Sequence, residues 1–449
     1  MREINKRKDY SPAEIEKIVA EKNVRFIRMQ FTDMFGKLKN IVITPSQLQK
    51  ALRNQMMFDG SSIEGFVRIE ESDMFLHPDL ATFAIFPWQN DSGNSARFIC
   101  DIYDVEGNPF LGDPRQILRR VLAHGESLGY VSQVGPEMEF FLFMLDSKGQ
   151  PTNISYDGGG YFDLGPVDLG EDARHEMVIA LEDMGFEVEA AHHEVAPAQH
   201  EIDFKYANAL ISADQVMTFK YVLQVCAKRN GLISSFIPKP FAGQAGSGMH
   251  LNISLDDKEG RNIFYDEDDE IRLSAVARKF MAGILAHAPG LTAILNPLVN
   301  SYKRFVPGFE APCYIAWSVR NRSPLIRIPT VNRDNARIEL RSPDPSANPY
   351  LALALCLAAG FDGIERDLPL PEPINLNIYE LSDEEREAMG IKRLPRNLYE
   401  AVEALMADHL LTETLGSHLC TKYVEAKLHE WEEYSAQITD WEMRHYLGY

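Results

Sequence analysis

Three short segments of this 449-residue chain alternate so strongly that they restrict what it can fold into. Side chains two apart in an extended strand share a face. In EMEFFLF, Glu137 and Glu139 fall on one face, beside the apolar run Phe140 to Phe143. HLNISL sets His250, Asn252 and Ser254 against Leu251, Ile253 and Leu255. RIELRS sets Arg337, Glu339 and Arg341 against Ile338 and Leu340. Alternation alone also describes an antiparallel sheet with one face in water. Here the polar faces carry charges of both signs together with His and Asn. If the three faces share a cavity, their carboxylates need cations.

A fourth stretch supplies more ligands. HHEVAPAQHEID (192–203) has Ala196–Pro197 at its centre, which reads as a turn between two extended arms, with Glu194 and Glu201 on opposite arms. Such a hairpin brings the two carboxylates together. Zinc prefers His and Cys in tight tetrahedral geometry, and this spacing lacks the HExxH pattern that puts two His on one helical face. Glu137, Glu139, Glu194, Glu201 and Glu339 outnumber the single strand-borne His250. That donor set favours Mg²⁺ or Mn²⁺.

Anion binders come from elsewhere. The chain has no GxxxxGK[ST], and the Gly-rich GQAGSGMH (243–250) runs into a strand rather than a helix, which argues against a Rossmann phosphate site. Arg304, Arg320, Arg322, Arg327, Arg333, Arg337 and Arg341 instead form a dense set between 304 and 341. Arginine captures carboxylate or phosphate in a planar, bidentate fashion. An exposed basic loop is the plainer alternative. Metal carboxylates facing arginines suit metal-assisted phosphoryl transfer, with phosphodiester hydrolysis as the competing reading.

The whole-chain balance agrees. A formal net charge of −21 disfavours nucleic acid and anionic membranes as partners. Five scattered cysteines (100, 226, 313, 356 and 420) show no CxxC and suggest a reducing compartment. The charged N-terminus is not followed by an apolar signal region, and the longest apolar run, YLALALCLAAGF (350–361), is too short to span a bilayer. A cytoplasmic chain is expected.

The size predicts more than one domain. Ser11–Pro12 caps a helix over 12–22. VRFIRMQF, KLKNIVIT, ATFAIFPW and ARFICDIY read as strands, so residues 1–107 form a small α+β domain. GNPFLGDPRQ is rich in Gly and Pro and marks the boundary. A helix near 114–128 opens the second domain, 108–449. Residues 367–397, with many Pro and acidic side chains, are expected on the surface. The helical tail carries Trp431, Tyr434, Trp441, Tyr446 and Tyr449, too many aromatics for a free end; they dock on the chain's own core or on another subunit.

FDGSSIEGF (58–66), GPEMEFFLF (135–143), HHEVAPAQHEID, GSGMHLNISL (246–255), NSYKRFVPGFEAP (300–312), NRSPLIRIP (321–329) and RIELRSPDPSANPYLA (337–352) follow one another in an order that resembles glutamine synthetase, type I, across almost the whole chain. The resemblance implies an α+β fold: an N-terminal β-grasp domain and a larger catalytic domain whose antiparallel sheet bears the active site. It implies a homo-dodecamer of two stacked hexameric rings, active sites between neighbouring subunits, and a C-terminal helix that reaches the opposite ring. The implied reaction joins ammonia to L-glutamate with ATP, giving L-glutamine, ADP and phosphate, with two or more Mg²⁺ (or Mn²⁺) per subunit.

Residue roles carry over by position. Glu139, Glu194 and Glu201 resemble the ligands of one metal, and Glu137, His250 and Glu339 those of another; the side chains of His192 and His193 are not implied as ligands. Arg304, Arg341 and the backbone of Gly246 resemble holders of glutamate. Arg322, Arg327 and Arg337 resemble partners of the ATP phosphates and of the transferred phosphoryl group, and Arg322 also counts among the glutamate contacts. Glu189, Tyr206, Asn252 and Ser254 fall at nucleotide positions. Asp59, offered by a neighbouring subunit, resembles the group that binds ammonium and accepts its proton. Glu310 resembles a flap acid that keeps water from the acyl phosphate.

One departure stands out: Ala245 occupies the place of the usual Asn before GSGMH, which puts one glutamate contact in doubt. Tyr379 lies near the position adenylylated in one branch, but its surroundings match that branch poorly, so it reads as ordinary surface. The chain resembles more the feedback-inhibited Gram-positive branch, with Arg68 as the candidate for feedback and a nitrogen-responsive transcription regulator as a partner. The alternative activity is ligation of glutamate to a larger amine, against which the intact DGSS at Asp59 speaks. A non-catalytic member would be expected to lose metal carboxylates, and a guanidino kinase would share the catalytic fold without Asp59.

Overall fold

In the computed structural model, the described residues are 7–61, 63, 73–88, 93–155, 157–306, 308–309, 311–319, 321 and 324–449. Glu310, Arg322 and Arg68 lie outside them.

The first unit is a five-stranded sheet with a helix on it. Ser11 caps α1 (Pro12–Glu21) in a reciprocal box with Glu14, and Ile15 and Val19 turn inward. Strands β1 (Val24–Thr32), β2 (Leu38–Ile43), β3 (Met56–Asp59), β4 (Asp73–Ile85) and β5 (Asn94–Tyr103) lie in the order β2-β1-β5-β4-β3. β1 and β5 run parallel and the other pairs antiparallel. Ile27, Met29, Phe31, Phe98, Cys100 and Ile102 join α1 in a core of their own. The short α2 (Leu48–Leu52) leads into β3, whose last residue is Asp59.

The second unit is built on the 15-residue β6 (Val131–Leu145), which runs through a ten-stranded sheet. Its main path also takes in β8 (Val188–His193), β9 (Gln199–Phe204), β12 (Met249–Asp256), β14 (Trp317–Ser318), β15 (Ile326–Arg327) and β16 (Ile338–Leu340), in the order β14-β15-β16-β12-β6-β9-β8. The shorter β7 (Pro151–Ser155), β10 (Ala207–Asn208) and β11 (Leu232–Ser235) pair with β6 off that path, and β13 (Tyr314–Ile315) pairs with β17 (Lys392–Arg393) apart from it. Every pair from β16 to β8 is antiparallel, as expected for the site-bearing sheet. Helices α3 (Pro114–Ser127), α4 (Glu171–Asp183), α5 (Ala209–Arg229), α6 (Ala275–Leu295) and α7 (Pro349–Glu365) cover its apolar face. α7 contains the apolar run 350–361 and is buried along most of its length, and Cys226 and Cys356 are fully buried thiols. Among the described residues no helix is long and apolar enough to cross a membrane.

A buried charge cluster joins the two units. Arg115 on α3 grips Asp214 of α5 through Nε and Nη2 at 2.9 and 2.8 Å, and also reaches Asp101 and Asp79 of the first sheet at 2.6 and 2.7 Å. Arg7 and the Tyr350 hydroxyl complete the shell of Asp214.

The tail comprises α8 (Asp383–Ala388), α9 (Leu398–Ala407), α10 (His409–Leu415), α11 (Ser417–Ser435) and α12 (Asp440–Tyr446). Trp431 packs on the chain's own core, but Trp441, Tyr446 and Tyr449 are exposed, so own-core docking fails for the last turns. Tyr379 corrects a second expectation. It is half-buried, not ordinary surface, because its hydroxyl donates to the Ala311 carbonyl at 2.8 Å and its ring packs near Tyr314.

Candidate active site

The strand register assembles the site. Glu137 faces His250 on one side and Asp203 on the other, and Glu139 faces Glu201. Asn252 pairs with Glu339, and Glu339 with Arg327. The hairpin read around Ala196–Pro197 is the β8–β9 connection: Glu194 N donates to the Gln199 carbonyl at 2.7 Å, and Ala198 takes a φ of 60° to close the turn. Glu194 and Glu201 therefore meet on the same side as Glu137 and Glu139.

Two ligand groups stand out there: Glu137, His250 and Glu339, and His192, Glu194 and Glu201. His192 Nδ1 lies 3.6 Å from Glu194 Oε1 and its Nε2 3.5 Å from Glu201 Oε2, so a side chain that the resemblance leaves out of the ligand set sits among the ligands. His250 Nδ1 is 3.1 Å from Glu137 Oε2, and Asn252 Nδ2 donates to Glu137 Oε1 at 2.9 Å. Those bonds outweigh burial and hold the Glu137 carboxyl down at about 2. Glu201 shows the opposite. Burial, with Asp203, Glu139, Glu137 and Glu194 close by, pushes it up to about 12. Burial also pushes Glu139 and Asp203 up to about 7, with Glu194 adding to the first and Glu137 to the second.

The arginines are already engaged. Arg341 donates to Glu339 Oε1 at 2.6 Å, and Arg327 Nε lies 2.8 Å from Glu339 Oε2. Arg304, 3% exposed, donates to the carbonyls of Ser342 and Arg341. Arg337 donates to Asn252 Oδ1 at 2.8 Å. Arg333 leaves the group: it is exposed and pairs with Glu267.

A cavity of about 320 Å³ opens beside the carboxylates. Glu189, Tyr206, Asn252, Ser254 and Arg337 line it, together with Glu137. Four expected nucleotide positions thus converge from β8, the β9–β10 link and β12. Arg327 does not line it, because its register partner Glu339 holds it. Asp59 lies away at the end of β3, exposed, with Oδ1 accepting from Ser61 N at 2.8 Å; the hydrogen bonds from Ser61 lower its pKa.

Comparison with known proteins gives the same reading. Residues 23–105 match the family model for the glutamine synthetase β-grasp domain, and residues 111–446 that for the glutamine synthetase catalytic domain. The chain belongs to the glutamine synthetase family. Proteins named glutamine synthetase from Staphylococcus aureus and Staphylococcus epidermidis are 54% and 53% identical to it over 442 residues, covering 98% of this chain and 99% of theirs. Among solved structures, a GmaS/ADP complex superposes with a TM-score of 0.87 at 32% identity, over 97% of this chain and 99% of that one. A Plasmodium falciparum glutamine synthetase superposes with a TM-score of 0.86 at 28% identity, over 98% and 99%. The chain is an enzyme of glutamine synthesis, with the family's β-grasp and catalytic domains.

Glutamine synthetases depend on ATP and divalent metal, and the donor set fits that need. Glu137, Glu139, Glu194, Glu201, Asp203 and Glu339 share one sheet face with His250, and burial among like charges raises three of these carboxyls, a cost that added positive charge would relieve. Hard oxygen donors of this kind suit hard divalent ions. Another group of ligand type, Asp157, Asp168, His193 and His200, does not. Arg174 pairs with Asp168 at 2.7 Å and donates to His200 Nδ1 at 2.9 Å. His193 donates to Asp157 Oδ1 at 3.1 Å and to the Glu194 carbonyl at 2.6 Å. A guanidinium and an imidazolium therefore balance the two carboxylates.

Sequence reasoning missed Asp203 and Gln199. Asp203 was within reach, since alternation from Glu201 along β9 puts it on the same face. Gln199 carries no chemical signal of its own. Ala245 packs against a small apolar cluster of Phe141, Phe143 and Ala196.

Proposed function

We propose that this chain transfers the γ-phosphoryl group of ATP to the γ-carboxylate of L-glutamate and lets ammonia displace it, giving L-glutamine, ADP and phosphate. The observation that carries the reading is the convergence, on one sheet face, of six carboxylates and His250 with Arg304, Arg341 and the cavity at Tyr206.

Glu139, Glu194 and Glu201 would hold one Mg²⁺ (or Mn²⁺), and Glu137, His250 and Glu339 another. Ions held there would supply positive charge against the phosphates. The chain's own groups do the rest. Tyr206, Glu189, Asn252 and Ser254 seat the nucleoside and Arg337 faces the phosphates; Arg327 joins it by releasing Glu339. Arg304, Arg341 and the Gly246 backbone orient glutamate, and Arg322 meets the transferring phosphoryl group. Ammonium has no lone pair until it loses a proton; Asp59 of a neighbouring subunit accepts it. Glu310 keeps water from the acyl phosphate.

The assembly we infer is a homo-dodecamer of two hexameric rings in the cytoplasm. The exposed aromatics of α12 support it, as apolar surface in want of a partner. The domains divide at 107/108, between the end of β5 at Tyr103 and the start of α3 at Pro114. We assign Arg68 to glutamine feedback and leave Tyr379 unmodified, which its hydrogen bond to Ala311 supports. A transcription-regulator partner gains no support from the described surface.

The test is phosphate release from ATP and glutamate with Mg²⁺, with ammonia, methylamine or putrescine offered. Ammonia-dependent release with glutamine formed is expected. Release driven only by a larger amine would move the chain to the amine ligases.

A further inference from the structure

Gln199 opens β9 and is 1% exposed. Both ends of its amide are used. Oε1 accepts from Ala196 N at 3.0 Å, in the turn of the hairpin that carries Glu194 and Glu201. Nε2 donates to Glu139 Oε2 at 2.9 Å and to the Gly246 carbonyl at 3.3 Å. One buried side chain therefore touches the hairpin, a carboxylate of the cluster and the Gly-rich loop.

The consequences for Glu139 are specific. Its Oε2 also accepts from Gly248 N at 2.9 Å, while its backbone N donates to the Gly248 carbonyl at 3.2 Å. Two donors thus fix Oε2 and leave Oε1 turned toward His250, whose Nε2 is 3.9 Å away. An oxygen pinned on one side presents the other in one direction, which is how an outer partner sets the aim of a ligand. The loop is equally constrained. A Cβ at Gly246 would lie 2.3 Å from the Pro238 carbonyl, and Ser247 N bonds that same carbonyl, so the loop has one place to sit and Gln199 grips it there.

We propose that Gln199 is a positioning residue that couples the divalent-metal ligands to the glutamate-holding loop. The proposal rests on the assignment of Glu139 to a metal and of the Gly246 backbone to glutamate. Linkage then requires reciprocity: bound metal tightens glutamate and glutamate tightens metal by one factor. A residue that only filled space would leave that factor alone.

The experiment titrates Mn²⁺ into the assembled enzyme by electron paramagnetic resonance, with and without glutamate and without ATP, alongside kcat and KM for both substrates. Gln199→Met keeps the length and loses every amide bond; Gln199→Glu keeps the acceptor and loses the donor, so a folding defect in one leaves the other informative. For both we expect Mn²⁺ binding about tenfold weaker, a larger rise in glutamate KM than in ATP KM, and a metal–glutamate coupling factor that falls toward one. An unchanged coupling factor in either folded variant overturns the proposal. Glu139→Gln separates the underlying assignment: wild-type-like Mn²⁺ binding in that variant would overturn the metal reading itself.

Discussion

Glu139 on β6 and Glu201 on β9 sit directly opposite each other in the ladder, two buried carboxylates in register at the centre of the site. Facing like charges destabilise a sheet, and here burial raises both carboxyls, with Glu139 adding to the rise at Glu201 and Glu194 to that at Glu139. Added positive charge would relieve this placement.

It predicts a crossover. In chelator, Glu201→Gln is expected to melt above the wild type by the equivalent of about 1 kcal/mol, because the buried Glu201 must take up a proton to fold and Gln need not. In saturating Mn²⁺ the order reverses, since only the wild type gains the full linkage term. Differential scanning calorimetry of both proteins in both conditions checks it. A variant that is less stable in both would show that Glu201 supports the fold rather than a cation.

The Arg115–Asp214 grip makes a different demand. Asp214 is buried, yet Arg115 and Arg7 hold its carboxyl well below the usual range. A lowered folded-state value contributes stability above the unfolded pKa, near 3.8, that is lost as pH falls through the folded value. Asp214→Asn leaves Arg115 with a weakened partner and is expected to cost about 3–5 kcal/mol at neutral pH. Urea denaturation should show that deficit shrinking toward pH 3. A constant deficit would mean lost packing rather than lost charge.

His287 works with the opposite sign. Its Nδ1 donates to Asp408 at 2.6 Å and its Nε2 to Asp362 at 3.1 Å, tying α6 to α7 and to the α9–α10 junction. Burial lowers its pKa, but the two carboxylates outweigh burial and raise it above 6.5. That stability is fully present below pH 6.5 and is lost as pH rises through the raised value. His287→Gln should flatten the fall in melting temperature as pH rises above 6.5. An equally steep fall in the variant would place the titrating group elsewhere.

If Asp59 serves a neighbour's site, two dead variants should repair each other. Asp59→Ala and Glu339→Gln subunits, unfolded together in equal amounts and reassembled, would form intact sites at about one interface in four. Activity near a quarter of the wild type is expected. Activity that stays at background would require Asp59 to act within its own chain.

Much of this site was legible in the sequence for a simple reason: strand alternation has a period of two, so the faces of β6, β12 and β16 could be read without knowing their neighbours. Turn chemistry at Ala196–Pro197 gave the hairpin. Register was not legible. Which arginine meets Glu339, and which lines the cavity, depends on how β15 slides against β16, and that register sets Arg327 beside Glu339. Composition misled at Tyr379, where acidic and Pro-rich neighbours concealed a hydroxyl committed to Ala311. Gln199 was invisible because its role lies wholly in what the fold brings to its two ends.

The most direct measurement follows the oxygen. Glutamate labelled with oxygen-18 at both γ-carboxylate oxygens is turned over with unlabelled ATP and ammonia, and the released phosphate is weighed by mass spectrometry. An acyl phosphate hands one carboxylate oxygen to phosphate, so one label per phosphate is expected, with the other left in the glutamine amide. Phosphate that carries no label would contradict phosphoryl transfer to glutamate at this site.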